Sequence, residues 1–172
     1  MKHVMLDIET MGTGMNAAIV SIGAFKFGKD TFVDDCQDQT NGFYAVPMHW
    51  KGDITQSTVE WWLSQPKEAA NAFMMAEKLP LVDCLTELSK FVGDCCVWGN
   101  GADFDNVIVQ AACVREGLKS WPYRNNRCFR TIKNIYEYTA YTKPVIPHHP
   151  LHDAIAQATT LVRLAKSYGI PL

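Results

Sequence analysis

Apolar and polar positions repeat along this chain in two periods, and the switches between them mark out the elements. Around residues 3–8 the run Val4-Met5-Leu6 reads as a buried strand. A Gly-containing turn over 11–16 follows. Residues 17–27 alternate as a long second strand, which places Ile19, Ser21, Gly23 and Phe25 on one face. Gly28-Lys29-Asp30 makes a turn, 31–40 is polar without a clear pattern, and 42–46 reads as a third strand. These three strands predict an antiparallel meander. The period then lengthens. Residues 58–63 read as a helix, with Ser57 as N-cap and Glu60 three positions on, a capping-box pattern. A second helix starts at Pro66-Lys67-Glu68-Ala69-Ala70. Leu81, Cys84, Leu85, Leu88, Phe91 and Val92 form the apolar stripe of a packed helix over 81–92. Residues 95–98 are a buried strand, and 104–116 a helix closed by Gly117. Residues 128–132 read as a fifth strand or as the lead into a helix over 133–138. A last helix spans 153–168, closed by Gly169 and Pro171. No repeat, linker or low-complexity tract interrupts the pattern, so 1–172 is expected to be one domain.

Composition adds limits. With 48% hydrophobic and 20% charged residues, the chain can bury an ordinary globular core. It has no apolar run of membrane-spanning length. The N-terminus enters a strand without the features of a signal peptide, which points to the cytoplasm. Cys36, Cys84, Cys95, Cys96, Cys113 and Cys128 form no Cys-x-x-Cys pair, so a zinc ribbon or thioredoxin site is not expected. Apolar flanks make them reduced, buried thiols. A net charge of −2 argues against a surface that grips a long nucleic-acid duplex electrostatically.

Three segments carry candidate chemistry. Asp7 and Glu9 lie two apart on the first strand, so they project from one face. Like charges so placed repel unless a cation sits between them. Hard cations such as Mg²⁺ take oxygen ligands of this kind. Yet Asp-x-Glu is frequent, and an exposed strand end is its ordinary explanation. Asn100-Gly101-Ala102-Asp103-Phe104-Asp105 follows the strand at 95–98, where an aspartate can be simply a helix N-cap. His148-His149-Pro150-Leu151-His152-Asp153 precedes the last helix and admits the same explanation.

In order, the segments read Asp-x-Glu, Asn-x-x-x-Phe-Asp and His-x-x-x-x-Asp. This pattern resembles the DEDD superfamily of 3′–5′ exonucleases (DnaQ-like) in its His-bearing branch, DEDDh. Asp7-Ile8-Glu9-Thr10-Met11-Gly12, Ser57-Thr58-Val59-Glu60-Trp61-Trp62, Trp98-Gly99-Asn100-Gly101 and Arg130-Thr131-Ile132-Lys133 look like phage exonuclease A of the T4 type and the mycobacterial exoribonuclease-like domain. The resemblance covers essentially the whole chain, and Glu-Trp-Trp is its most discriminating block. It implies an α/β fold, a ribonuclease H-like mixed sheet in which the meander is joined by parallel strands and flanked by helices. It implies two Mg²⁺ ions, replaceable by Mn²⁺, held by Asp7, Glu9, Asp105 and Asp153, with Asp7 bridging and His148 as general base. Asp103 offers a competing carboxylate, but the family places the ligand after the Phe.

Thr10 and Met11 fall at the family's positions that contact the terminal nucleotide. Trp61 and Trp62 are candidates for base stacking, although helical spacing makes at least one a core residue. Asn100 and Arg130 are weaker candidates for phosphate or base contact. The resemblance implies hydrolysis of single-stranded DNA or DNA ends from the 3′ end, releasing nucleoside 5′-monophosphates. Three alternatives stand beside it. One is trimming of RNA 3′ ends. The second is a catalytically silent nucleic-acid-binding protein, which predicts a missing carboxylate or histidine. The third is a zinc hydrolase using His148, His149 and His152. The family often dimerises, which suggests a homodimer. The closest resemblance suggests a phage origin.

Overall fold

The structure is a computed structural model that describes residues 2–31 and 40–172. Strands β1 (His3–Thr10), β2 (Ile19–Phe27) and β3 (Gly42–Pro47) form the antiparallel meander. Helices α1 (Gln56–Ser64) and α2 (Lys67–Met74) lead to a two-residue strand, β4 (Lys78–Leu79), parallel to β3. Helix α3 (Leu81–Val92) precedes β5 (Cys96–Gly99), which lies parallel to β1. Helix α4 (Asp105–Arg115) leads to β6 (Asn126–Cys128), parallel to β5, then α5 (Phe129–Ile135) and α6 (Pro150–Tyr168). The strand order is β4-β3-β2-β1-β5-β6. This is the mixed sheet flanked by helices that the family pattern implied.

The faces of β1 explain the layers. Val4, Leu6 and Ile8 pack with Leu85 and Leu88 of α3 and with Ile108 and Val109 of α4. Met5 faces the other way, against Leu151, Ile155 and Leu161 of α6. Asp7 and Glu9 share the Met5 face by alternation, and so look toward α6. Gly23 pairs directly with Asp7 across β1 and β2. A Cβ there would lie 2.1 Å from the backbone N of Leu151 and 2.2 Å from the carbonyl carbon of Pro150. The missing side chain lets the first turn of α6 descend onto the sheet beside Asp7. Gly23→Ala is expected to destabilise the protein by more than about 3 kcal/mol, since backbone sits on both sides of the overlap. A thermal melt matching wild type would disprove the close approach.

Several expectations are corrected. The second strand starts at Ile19, not Ala17, which makes only an isolated bridge to Asp53. Glu9 pairs with Ser21 but Thr10 with Ile19, so Val20 is an extra residue in β2. That bulge turns Ile19 into the α3–α4 cluster, opposite the face of Gly23 and Phe25. Helix α1 starts a residue before Ser57; Thr55 is its N-cap, its hydroxyl 2.8 Å from that of Thr58. Glu60 accepts from the Gln56 amide instead of closing a capping box. Residues 128–132 split between the end of β6 and the start of α5. Helix α6 begins at Pro150, three residues earlier than periodicity suggested. Cys84 and Cys113 are buried free thiols, and burial pushes Cys84 up to about 11. Cys95, Cys96 and Cys128 are only partly buried: Cys96 opens β5, Cys128 closes β6, and Cys95 directly precedes β5. Cys36 and the polar 32–39 stretch lie outside the described residues.

Candidate active site

The carboxylates converge where β1 outruns its neighbour. Pairing of β1 with β5 ends at Leu6 and Gly99, two residues before Ile8. The N–H of Ile8 therefore donates to Asp105 Oδ1 of α4, at 3.2 Å. Asn106, the next residue, is wholly buried and donates to the carbonyl of Val97 and to Asn126 Oδ1, each at 3.0 Å, which ties the start of α4 to β5 and β6. Gly99 leaves room for this turn, since a Cβ would meet Asn106 Oδ1 at 2.4 Å and Asp105 Oδ2 at 3.1 Å. From the other side, α6 delivers Asp153. Oxygens of Asp7, Glu9 and Asp153 lie within 4.8 Å of one another.

Their electrostatics show strain that a cation would relieve. Burial, then the charges of Asp105, Glu9 and Asp153, push Asp7 well above the usual carboxylate range. Burial and the Asp153 and Asp105 charges push Glu9 up to about 9. Burial raises Asp105 to about 7 against the opposing N–H bonds of Ile8, Asp105 and Asn100 and the Arg130 charge. Burial raises Asp153 to about 6, opposed by the N–H of His148. Asp153 Oδ2 is buried without a hydrogen-bond partner. Oxygen donors packed at this density suit a hard divalent cation.

These shifts fix a sign. Protonated carboxylates favour the native state, so this stabilisation is full below the unfolded-state pKa near 4. It declines as pH rises above that value and is gone once pH has passed the folded values, about 6 for Asp153 and about 9 for Glu9. Melting in EDTA is expected to occur at progressively lower temperature from about pH 4 up to the Glu9 value of about 9, and Mg²⁺ or Mn²⁺ to reverse the loss. A metal-free melt that is flat with pH would contradict the crowding.

His148 precedes the N-cap of α6 and holds a left-handed backbone, φ 62°. Its Nδ1 stands 4.0 Å from Glu9 Oε1, and its ring meets Trp61 edge to face at 4.9 Å between centroids. Burial lowers its pKa, which favours the neutral imidazole. Beside it opens a pocket of about 370 Å³, lined by Glu9, Thr10, Thr13, Ser57, Thr58 and Trp61 among others. That volume is at the low end for a small-molecule cleft.

The remaining candidates divide. Thr10 and Trp61 line the pocket. Met11 does not: it is buried with Ala18, Val20 and Trp62. Trp62 is 7% exposed, and its indole N–H is engaged by the Thr10 carbonyl at 3.0 Å, so it is the core member of the pair. Asn100 is half-buried, and its carbonyl accepts from exposed Arg130 beside Asp105. Asp103 is exposed, whereas Asp105 is buried. His149 and His152 stack face to face at 4.0 Å rather than converging with His148, and among the described residues the group able to hold a metal is Asp7, Glu9 and Asp153.

Residues 2–164 match the family of Rv2179c-like 3′–5′ exoribonuclease domains. The chain belongs to that family. It is a 3′–5′ exonuclease domain. Among solved structures it is similar to the nuclease domain of 3′hExo, a DEDDh family member, bound to rAMP. That likeness has 14% identity and a TM-score of 0.61, over 99% of this chain and 94% of that one. It is also similar to the RNase domain of the yeast Pop2 protein, at 10% identity and a TM-score of 0.63, over 96% and 77%. At such identities the likeness is one of fold. No curated protein matches the nuclease domain by sequence.

Gln157 was not among the candidates. Its amide donates to Asp7 Oδ1 at 2.7 Å, from one helical turn beyond Asp153. The i, i+4 spacing on one helix face was its signal. Gly23 had none, because its role depends on which element lies over it.

Proposed function

We propose that this nuclease domain hydrolyses phosphodiester bonds at the 3′ end of a single strand and releases nucleoside 5′-monophosphates. The observation that carries the reading is the meeting of Asp7, Glu9, Asp105, Asp153 and His148, from three distant segments, at the C-terminal end of β1. RNA is the substrate we favour over the DNA suggested by the phage-type motifs, because the family is described by an exoribonuclease activity.

Asp7, Glu9 and Asp153, with Asp105 beside them, would hold two Mg²⁺ or Mn²⁺ ions. When bound, such ions acidify a water and stabilise charge on the leaving oxygen. His148 takes the proton of the attacking water through its neutral imidazole, a role that suits a pKa near neutrality. Its place before α6 sets it over Glu9 and against Trp61. Trp61 offers an aromatic face to the terminal base, and Thr10 borders the same pocket. Gln157 holds one oxygen of Asp7 and leaves the other free for a cation.

The test uses 5′-labelled RNA and DNA single strands of matched sequence, with Mg²⁺ or Mn²⁺, resolved on a denaturing gel. A ladder that shortens from the 3′ end and stops with EDTA is expected, faster on RNA. Binding without degradation of either strand would overturn the reading in favour of a silent binding protein. Gln157→Leu is expected to weaken metal affinity or turnover by about 10–100-fold, the usual effect of losing a partner that orients a ligand. Titrating Mn²⁺ against wild type and Gln157→Leu checks it, and identical curves would remove Gln157 from the site.

A further inference from the structure

The carboxylates, His148 and the Trp61 pocket leave one charged feature unexplained. Between Leu118 and Tyr136 the sequence carries Lys119, Arg124, Arg127, Arg130 and Lys133 and no Asp or Glu, in a chain of net charge −2. Four of the five follow one edge of the molecule. Arg124 lies in a 3-10 turn at Tyr123–Asn125, Arg127 in β6, and Arg130 and Lys133 in α5. β6 is the last strand of the sheet among the described residues. Arg124, Arg127 and Arg130 are exposed. Arg127 donates to the carbonyls of Arg124 at 2.8 Å and Asn126 at 2.9 Å, which lays its guanidinium along the edge. Arg130 donates to the Asn100 carbonyl, next to the turn that leads to Asp105. One helical turn on, the Lys133 ammonium lies 4.9 Å from the centroid of the Tyr141 ring. Burial, then the Arg130 charge, lowers the pKa of that ammonium, which places the two cations together. Two rings stand out beside the cations: Tyr123 is 83% exposed and Tyr141 51%. Two acids from outside the segment approach Arg130: Asp103, whose carboxylate flanks Gly101 together with Arg130, and Asp105, whose pKa burial raises and the Arg130 charge lowers.

We propose that Arg130, Arg127, Arg124 and Lys133 form the track on which the single strand upstream of the scissile phosphate lies, with Tyr123 and Tyr141 available to its bases. The proposal rests on the nuclease reading for its direction: Glu9 lines the pocket with Trp61 of α1, whereas Asp105 feels the charge of Arg130 of α5, so the cluster meets the pocket through one carboxylate and the track through another. Cations for the backbone and aromatic faces for the bases are what sequence-tolerant single-strand binding uses. Phosphate contacts of this kind position the strand without reading its sequence.

Binding is measured by fluorescence anisotropy of a labelled RNA strand of about 12 nucleotides, in EDTA, from about 50 to about 200 mM salt. Arg124→Ser/Arg127→Ser/Lys133→Ser is compared with Lys29→Ser/Lys78→Ser/Arg115→Ser, which removes the same charge elsewhere. Each lost phosphate contact flattens the log–log salt slope by about 0.7 for single strands, so the track variant is expected to lose about two units of slope and the control none. Equal slopes in the two variants would overturn the track. Folding is checked by thermal melting of both. A 3′ ladder with equal slopes rejects the track alone. Flattened slopes in the track variant with no ladder from wild type reject the nuclease reading and keep a single-strand binding edge.

Discussion

Asp7→Asn is expected to reduce strand cleavage to background, while the protein melts at a higher temperature in EDTA than wild type. Both effects have one cause. Asp7 lies at the centre of the cluster, raised by burial and by the charges of Asp105, Glu9 and Asp153 together. An amide there removes one of four repelling carboxylates and preserves shape. The Gln157 amide, 2.7 Å from Asp7 Oδ1, still finds a carbonyl oxygen to donate to. The metal-free protein therefore gains stability. The same change removes one carboxylate from the group proposed to hold the cation, in which oxygens of Asp7, Glu9 and Asp153 lie within 4.8 Å of one another. Stabilisation of transition-state charge by a bound cation is worth several kcal/mol, so its loss is expected to cost at least about 10³-fold in turnover. Three readouts check the argument: the gel assay, the melt in EDTA, and the rise in melting temperature on adding Mn²⁺. The rise should vanish in the variant. Undiminished turnover would sink the site, and a lower metal-free melt would show that Asp7 is structural.

The meander and the chemistry-bearing segments were legible for different reasons. β1, β2 and β3 are long enough for alternation to register, whereas Lys78–Leu79 is a two-residue strand with no period to detect. The carboxylates were singled out by their match to the family's three motifs, because each spacing alone also describes an exposed strand end or a helix cap. Glu9 follows Asp7 by one strand repeat, and Asp153 falls in the first turn of α6. What escaped depends on the partner, not on local pattern. The extra residue at Val20 reverses the face of Ile19, and nothing in Ile19-Val20-Ser21 announces it. Gly23 reads as one more small residue until α6 is seen lying against it. Trp61 and Trp62 are adjacent and alike in sequence. Only the position of the Thr10 carbonyl decides which is engaged in the core and which is left at the pocket.

His148→Ala is expected to slow cleavage by about 10²–10⁴-fold, the usual contribution of a positioned general base, with metal binding retained. Geometry separates the two functions. His148 Nδ1 lies 4.0 Å from Glu9 Oε1, too far for a hydrogen bond, and its ring rests on Trp61. Removing the imidazole leaves the oxygens of Asp7, Glu9 and Asp153 within 4.8 Å of one another, so the Mn²⁺-induced rise in melting temperature should persist. The backbone needs its own control. With φ at 62°, residue 148 sits in the left-handed region, where alanine is strained and asparagine is better tolerated. Its N–H also opposes the raised pKa of Asp153, so a shift of this turn would disturb a carboxylate. His148→Asn keeps the backbone but supplies no base at neutral pH. Equal loss in the two variants assigns the effect to the proton acceptor. Recovery of activity in His148→Asn would assign it to the turn, and the base would then have to be sought elsewhere.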